Sequence, residues 1–114
     1  MELYLPTGGM IGINLIDLLT ENPFRYGVPV IVESEGFPVA MRIPKAKDYS
    51  LIHDPVSGVG YIINLQDKTV NVSATAHIMR SFEEKNQDIL RLKTDMDIEE
   101  ILEKLREMEF EVEK

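Results

Sequence analysis

Two neighbouring residues, His53 and Asp54, carry the side chains best suited to acid–base chemistry in this 114-residue chain. They stand at the end of a β-rich run that begins at Tyr49, and they precede a loop that contains Pro55 and Gly58. Loops at strand ends often carry functional residues, and a histidine beside a carboxylate can act as a general base. Adjacent strand residues point to opposite faces, however. The other interpretation is therefore a surface histidine next to a turn-forming Asp-Pro.

A glycine-rich segment near the start is the second candidate site. Thr7, Gly8, Gly9 and Gly12 stand between a short apolar run and a longer one. The order strand, glycine-rich turn and helix can cradle a phosphate, because N–H groups at the helix start point at the anion and glycine permits close approach. The alternative interpretation is a tight turn at Gly8 and Gly9, with Gly12 allowing a strand to pack closely.

This segment resembles the opening of nucleotide-sugar-modifying dehydrogenases. It keeps only the Gly8-Gly9-x-x-Gly12 part of their glycine pattern. The resemblance implies nucleotide binding, with Glu33 standing at roughly the place of a ribose-binding acid. The rest of the chain lacks the alternation of strands and helices that such a nucleotide-binding fold requires.

Few other kinds of site are compatible with the residue types present. The chain has no cysteine, which excludes disulfides, thiolate catalysis and cysteine-based metal sites. Its two histidines, His53 and His77, would have to meet a carboxylate through folding to bind zinc, so we predict no metal site and no cofactor. No serine stands in a Gly-x-Ser-x-Gly elbow. We interpret paired acids such as Glu83-Glu84 as solvated helix surface.

Residues 7–23 are the stretch around which we expect the fold to be organised. Apolar side chains fill seven of the ten positions from 10 to 19. The polar residues Asn14, Asp17 and Glu21 share one narrow stripe at helical spacing. The pattern predicts a helix that ends before Pro23 and is covered over most of its surface.

The remaining chain predicts a single α+β domain over residues 1–114. Short strands joined by tight turns between residues 28 and 74 are typical of an antiparallel meander. Helical spacing follows at residues 76–85 and from Ile98 to Met108, and a strand is favoured for residues 88–93. We therefore expect a curved antiparallel sheet of four to six strands packed on the N-terminal helix, with one or two further helices in the C-terminal third.

Composition restricts the partners and the compartment. The net charge is −8, from 20 acidic and 12 basic residues, which argues against nucleic acid as the main partner. The lack of cysteine and of a signal-peptide pattern favours a cytoplasmic location. The apolar run at residues 10–19 is too short and too polar to span a membrane. Abundant Glu, Lys and Arg without Cys or Trp hint at a thermophilic source.

The predicted function is a small cytoplasmic, non-catalytic binding or regulatory module that self-associates as a homodimer or other homo-oligomer. Apolar residues on both faces of the strand near residue 30 motivate the self-association. The candidate contact residues are Val30, Val32, Phe37 and Val39. The alternative is a small nucleotide- or phosphate-binding protein or enzyme that uses the Thr7–Gly12 turn, with His53 and Asp54 as catalytic candidates.

We expect no useful affinity for DNA or RNA near neutral pH and physiological salt, because the negative charge of the chain repels a polyanion. Fluorescence anisotropy of a labelled random duplex, titrated with micromolar protein, measures this. A basic protein of similar size provides the positive control. A rise in anisotropy that added salt abolishes would contradict the expectation.

Overall fold

The computed structural model describes residues 2–20, 27–43, 46 and 48–113. Within these ranges lie nine strands and three helices. The strands are β1 (Glu2–Tyr4), β2 (Met10–Asn14), β3 (Val30–Ser34), β4 (Phe37–Arg42), β5 (Tyr49–His53), β6 (Gly60–Asn64), β7 (Thr69–Ser73), β8 (Leu90–Lys93) and β9 (Glu111–Val112). The helices are α1 (Leu15–Thr20), α2 (Thr75–Lys85) and α3 (Ile98–Glu107).

The nine strands form one mixed sheet in the order β2-β1-β8-β3-β4-β5-β6-β7-β9. Strands β3 to β7 pair consecutively and antiparallel, but β8 lies between β1 and β3 and runs parallel to β3. Strand β9 likewise runs parallel to β7. The predicted antiparallel sheet of four to six strands on an N-terminal helix is therefore wrong. The connections between parallel neighbours are long, as parallel pairing requires: α2 lies in both of them, and α3 lies in the connection from β7 to β9.

The helix predicted for the apolar stretch that begins at Met10 and ends before Pro23 is wrong in its first half. Residues Met10–Asn14 form a strand that pairs with β1. Ile11 and Ile13 pack against the core, whereas Met10 and Gly12 are exposed. Partly buried and exposed residues thus alternate as in a half-buried strand. The exposed positions carry Met10 and Gly12 rather than polar residues, so the alternation is not visible in the sequence.

Helix α1 begins only at Leu15. The side chain of Asn14 accepts a hydrogen bond from the N–H of Asp17 at 2.9 Å and so satisfies one of the unpaired donors at the helix start. The apolar side chains of α1 are buried: Leu15, Ile16, Leu18 and Leu19. The predicted end of this helix at Asn22-Pro23 lies outside the described residues.

Helices cover the sheet on both faces. On one face, α1 and α3 contribute to the main core, into which β3 projects Val30 and Val32. On the other face, Met79 of α2 packs in a second cluster with Ile31 of β3. Three of the four residues predicted to contact a second subunit, Val30, Val32 and Val39, are buried inside the chain. They do not form an exposed contact surface.

A buried polar network joins the sheet to α1. Arg42 is fully buried, and its Nη1 donates to the carbonyl of Tyr49 at 2.6 Å and to Oγ of Ser50 at 3.3 Å. The Ser50 hydroxyl in turn donates to the carbonyl of Leu19 at 2.6 Å. A buried charge is tolerated only when hydrogen bonds satisfy it. The network therefore fixes the position of the end of α1 relative to β4 and β5.

Different polar contacts fix the starts of the two later helices. Asp97 caps α3, because its carboxylate accepts the N–H of Glu100 at 2.8 Å. Thr75 is the first residue of α2 and is buried, and its hydroxyl donates to the carbonyl of Ile52 at 3.0 Å. Residues 90–93 form the strand β8, which confirms the strand favoured for that segment.

Gly60 is required by the close approach of α2 to β6. A Cβ placed on Gly60 would lie 2.7 Å from the carbonyl oxygen of Ser73 and would also overlap the side chain of Thr75. We expect Gly60→Ala to lower the free energy of unfolding by roughly 1–3 kcal/mol, the usual cost of overpacking. Urea denaturation checks this.

Gly9→Ala is the matched control. A Cβ on Gly9 would meet only the Leu5 Cδ1 atom at 3.7 Å, an ordinary contact, and Gly9 does not have the positive φ of Gly8. Equal stability of the two variants would show that the approach of Thr75 to β6 is not close.

Candidate functional site

One end of the sheet gathers the loops that carry the candidate residues. Strand β3 turns into β4 through Glu35 and Gly36, both with positive φ, as in the two-residue turns typical of hairpins. Strand β5 ends at His53 and enters the loop at residues 54–59, and the segment at residues 94–97 leaves β8 at the same end. The N–H of Thr94 donates to the carbonyl of Glu33 at 2.9 Å, which holds this segment beside the hairpin.

A concavity of about 540 Å³ opens between the β3–β4 turn, the loop at residues 54–59 and the segment before α3. We call it the acidic groove. Its lining consists of carboxylates, apolar side chains and one serine: Ser34, Glu35, Phe37, Val39, Asp54, Pro55, Val56, Asp95, Met96, Asp97 and Ile98. No lysine or arginine of the described chain lines it.

The apolar part of the acidic groove has a buried base and exposed walls. Val39, Met96 and Ile98 are buried members of the main core. A bulge in β4 opposite Val32 and Glu33 leaves Val39 as the extra residue. Phe37 and Val56 remain 58% and 93% exposed. An exposed apolar wall over a core-anchored base is typical of a binding surface.

Four carboxylates surround these apolar side chains. Asp97 is fixed by its cap on α3, and Asp54 is fixed within its own loop. Glu35 and Asp95 have no hydrogen bond or ion pair with any other described residue through their side chains. The groove therefore has a negative rim with two carboxylates free to receive a cation.

Asp54 organises the loop that carries Val56. Its Oδ1 accepts the N–H of Val56 at 2.9 Å, and its Oδ2 accepts the hydroxyl of Ser57 at 2.8 Å. Burial is the largest single effect and raises the pKa of Asp54, but the hydrogen bonds from the Ser57 hydroxyl and from the backbone N–H groups of Val56 and Ser57, together with the charge of His53, outweigh it, so the pKa lies below its ordinary value. Asp54 is thus a structural acceptor that presents Val56.

His53 and Asp54 are not brought together as an acid–base pair. Asp54 faces the acidic groove, whereas His53 lines a second concavity of about 260 Å³. We call this second concavity the histidine pocket. Its lining is Phe37, Pro38, His53, Pro55, Ala76, Met79, Arg80 and Glu83. Nδ1 of His53 is buried and has no hydrogen-bond partner among the described residues.

An ion-pair chain borders the histidine pocket. Glu83 receives a hydrogen bond from Arg91 at 2.8 Å, and Arg91 also contacts Glu33 at 3.0 Å. The hydrogen bond to Glu83 is the main reason that the pKa of Arg91 rises. Burial opposes the rise, and the hydrogen bond to Glu33 and the charges of both carboxylates add to it. Glu33 is therefore engaged with Arg91.

The glycine-rich segment joins two strands in the structure. The N–H of Gly8 donates to the carbonyl of Leu5 at 2.8 Å, and the N–H of Leu5 donates to the carbonyl of Gly9 at 2.7 Å. Thr7, Gly8 and Gly9 thus form the turn of the β1–β2 hairpin, and Gly12 lies within β2. The helix start that a phosphate cradle needs is absent from this turn.

The remaining sequence candidates lie apart from both concavities. His77 is an exposed residue of α2 that lines neither the acidic groove nor the histidine pocket. Within the described ranges, no three His, Asp or Glu side chains cluster closely enough to hold a metal ion. None of the described helices has the length and apolar character needed to cross a membrane.

Sequence reasoning named Phe37 only as a contact residue for a second subunit, and it missed Val56, Arg80, Asp95 and Asp97 as candidate functional residues. The available signal was weak: Phe37 and Val56 are apolar residues directly beside turns, where burial is not required. Nothing in the sequence indicates that the segment before α3 lies next to the β3–β4 turn, because that proximity depends on the parallel pairing of β8 with β3.

The lowered pKa of Asp54 predicts a pH-dependent contribution to stability. The contribution is present above the pKa of aspartate in the unfolded chain and is lost as the pH falls through the lower folded value. We expect Asp54→Asn to be less stable than the wild type at pH 7 and the difference to shrink in acid. Asp88→Asn, at an exposed site without a side-chain partner among the described residues, is the control. A stability difference between the wild type and Asp54→Asn that does not change with pH would contradict a lowered pKa of Asp54.

Comparisons with known proteins found no relative. No family model matches the chain, no curated protein matches its sequence, and no solved structure matches its fold.

Proposed function

We propose that this protein is a non-catalytic binding module. Its acidic groove receives a segment of a partner protein that carries both basic and apolar side chains. The observation that carries the proposal is the combination of four carboxylates and exposed apolar walls in one concavity, without a lysine or arginine in its described lining. At about 540 Å³, the groove lies within the ~300–1,000 Å³ typical of ligand sites.

The apolar walls supply the affinity in this proposal. Phe37 and Val56 are large apolar side chains that remain exposed at the groove, and burying such side chains is worth roughly 1.5–3 kcal/mol each as an upper estimate. Three hydrogen bonds within residues 54–59, made by Asp54 and Ser57, hold the loop of Val56 in place before binding. Little conformational freedom is therefore lost when a partner binds.

The carboxylates supply the selectivity. Glu35 and Asp95 have no cationic partner among the described residues, so lysine or arginine side chains of a partner can pair with them. Complementary charge speeds association and disfavours acidic partners more than it adds affinity. A nucleic acid is disfavoured for the same reason.

A second copy of the chain fits the acidic groove poorly. A two-fold contact through this surface would place the carboxylates of one copy against those of the other, in a chain whose net charge is already −8. Self-association therefore stays a prediction, and the surface best placed for it is the outer edge of β2. No described strand pairs with that edge, and Met10 beside it is 61% exposed.

The lack of catalysis is also part of the proposal. Asp54 is committed to its loop, and His53 faces another concavity, so the candidates for a general base and its partner are separated. The alternative of a phosphate site at Thr7–Gly12 has no geometric support, because that segment is a strand-to-strand turn. We also propose a cytoplasmic location, which the lack of cysteine in the sequence favours.

A fluorescein-labelled peptide of alternating leucine and lysine tests the proposal. We expect saturable binding that weakens as salt is added, since exposed charges are screened. The same peptide with glutamate for lysine, and one with serine for leucine, should bind at least about tenfold more weakly, a difference of ~1.4 kcal/mol. Anisotropy at several protein concentrations gives the dissociation constants.

Matched variants locate the binding surface. The double variant Glu35→Lys/Asp95→Lys should abolish peptide binding. The double variant Glu84→Lys/Asp88→Lys makes the same change in net charge outside the groove and should retain most of the peptide binding. Val56→Ser should weaken binding without loss of stability, because Val56 is 93% exposed. Equal losses in the two lysine pairs would indicate attraction to net charge alone and would refute the groove.

A further inference from the structure

We propose that the histidine pocket is a second binding site, which takes the carboxylate of a small ligand with an apolar body. The pocket lies on the other side of Phe37 and Pro55 from the acidic groove and has a volume of about 260 Å³. This inference is independent of the peptide-binding function, since it involves different polar residues.

The first support is the unsatisfied ring nitrogen of His53. Its Nδ1 atom is buried and has no hydrogen-bond partner among the described residues. Leaving a buried polar group unpaired costs roughly 1–3 kcal/mol. The ring of His53 lines the pocket, so a small rotation of the ring would bring Nδ1–H within reach of a ligand oxygen, and that hydrogen bond would remove the cost.

The second support is the free cation of Arg80. Its side chain makes no hydrogen bond or ion pair with any other described residue. The acid in the pocket lining, Glu83, is already paired with Arg91 at 2.8 Å. Arg80 therefore remains available, and the planar guanidinium group suits a carboxylate through paired hydrogen bonds.

The third support comes from the start of α2. Ala74 at the cap position makes no side-chain hydrogen bond to the first turn, and Ala76 of that turn lines the pocket. The positive end of the helix dipole thus lies near His53 and Arg80 without a capping side chain. All three features favour a negative charge in the same small space.

The rest of the lining determines the body of the ligand. Pro38, Pro55 and Met79 are apolar, and Phe37 offers an aromatic ring that is 58% exposed. A small aromatic ring or a branched aliphatic group of the ligand can pack against this apolar surface. A strongly hydrated inorganic anion has no such body, and a cation would be repelled by Arg80.

Benzoate is a suitable probe, with the two histidines of the chain as reporters. In an NMR titration at constant ionic strength, we expect saturable shifts of the His53 ring signals while those of the exposed His77 stay in place. His77→Gln assigns the two sets of signals. Benzyl alcohol, benzylamine and inorganic phosphate, each at the same concentration, should move the His53 signals far less.

Substitution of the cation provides the second measurement. Arg80→Gln should weaken benzoate binding at least about tenfold, whereas Arg106→Gln, which removes the same charge from α3, should not change it. Arg80 is exposed and unpaired among described residues, so the variant is expected to keep its fold. Urea denaturation of both variants verifies this.

Four results would overturn the proposal. These are shifts of His53 that do not saturate, equal shifts of His53 and His77, equal responses to benzoate and benzyl alcohol, or equal responses to benzoate and phosphate. Loss of peptide binding in the acidic-groove variants with benzoate binding retained would separate this site from the peptide-binding function. Peptide binding by a protein that shows no saturable response to benzoate would refute the carboxylate site alone.

Discussion

The burial of β3 on both faces is the constraint on which the structure depends. Val30, Ile31 and Val32 have no exposed surface, so consecutive residues of one strand need apolar cover on opposite sides. Helices α1 and α3 supply it on one side, and α2 on the other. Parallel pairing with β8 and antiparallel pairing with β4 complete the burial of the strand backbone. A continuous apolar run is the pattern expected of a strand enclosed in this way.

Local patterns in the sequence predict local structure well and long-range pairing poorly. Helix α3 is predictable because Ile98, Ile101, Leu102 and Leu105 recur at helical spacing, and all are buried. The stretch at residues 10–19 misleads because strand β2 passes directly into helix α1, and the two short apolar patterns combine into one. The insertion of β8 beside β3 depends on contacts between segments distant in sequence, and the residues of neither segment indicate which strand lies beside it.

The same limit applies to the candidate site. His53 and Asp54 are adjacent in sequence, yet the strand geometry directs them into different concavities. Conversely, Glu35 and Asp95 are far apart in sequence and line one groove. The residue types of both concavities are visible in the sequence. Their grouping is not, because it follows from the order of the strands rather than from spacing along the chain.

Phe37 and Pro55 form a wall common to the two concavities, and this has an evolutionary consequence. Each residue contributes one surface to the acidic groove and another to the histidine pocket. A substitution at Phe37 is therefore pleiotropic, since it alters the shape of both. Selection for the shape of one concavity therefore restricts which residues position 37 can carry for the other. Val56 and Arg80 each line a single concavity, so they can vary independently. Divergence among descendants of this chain is expected to begin at those unshared positions.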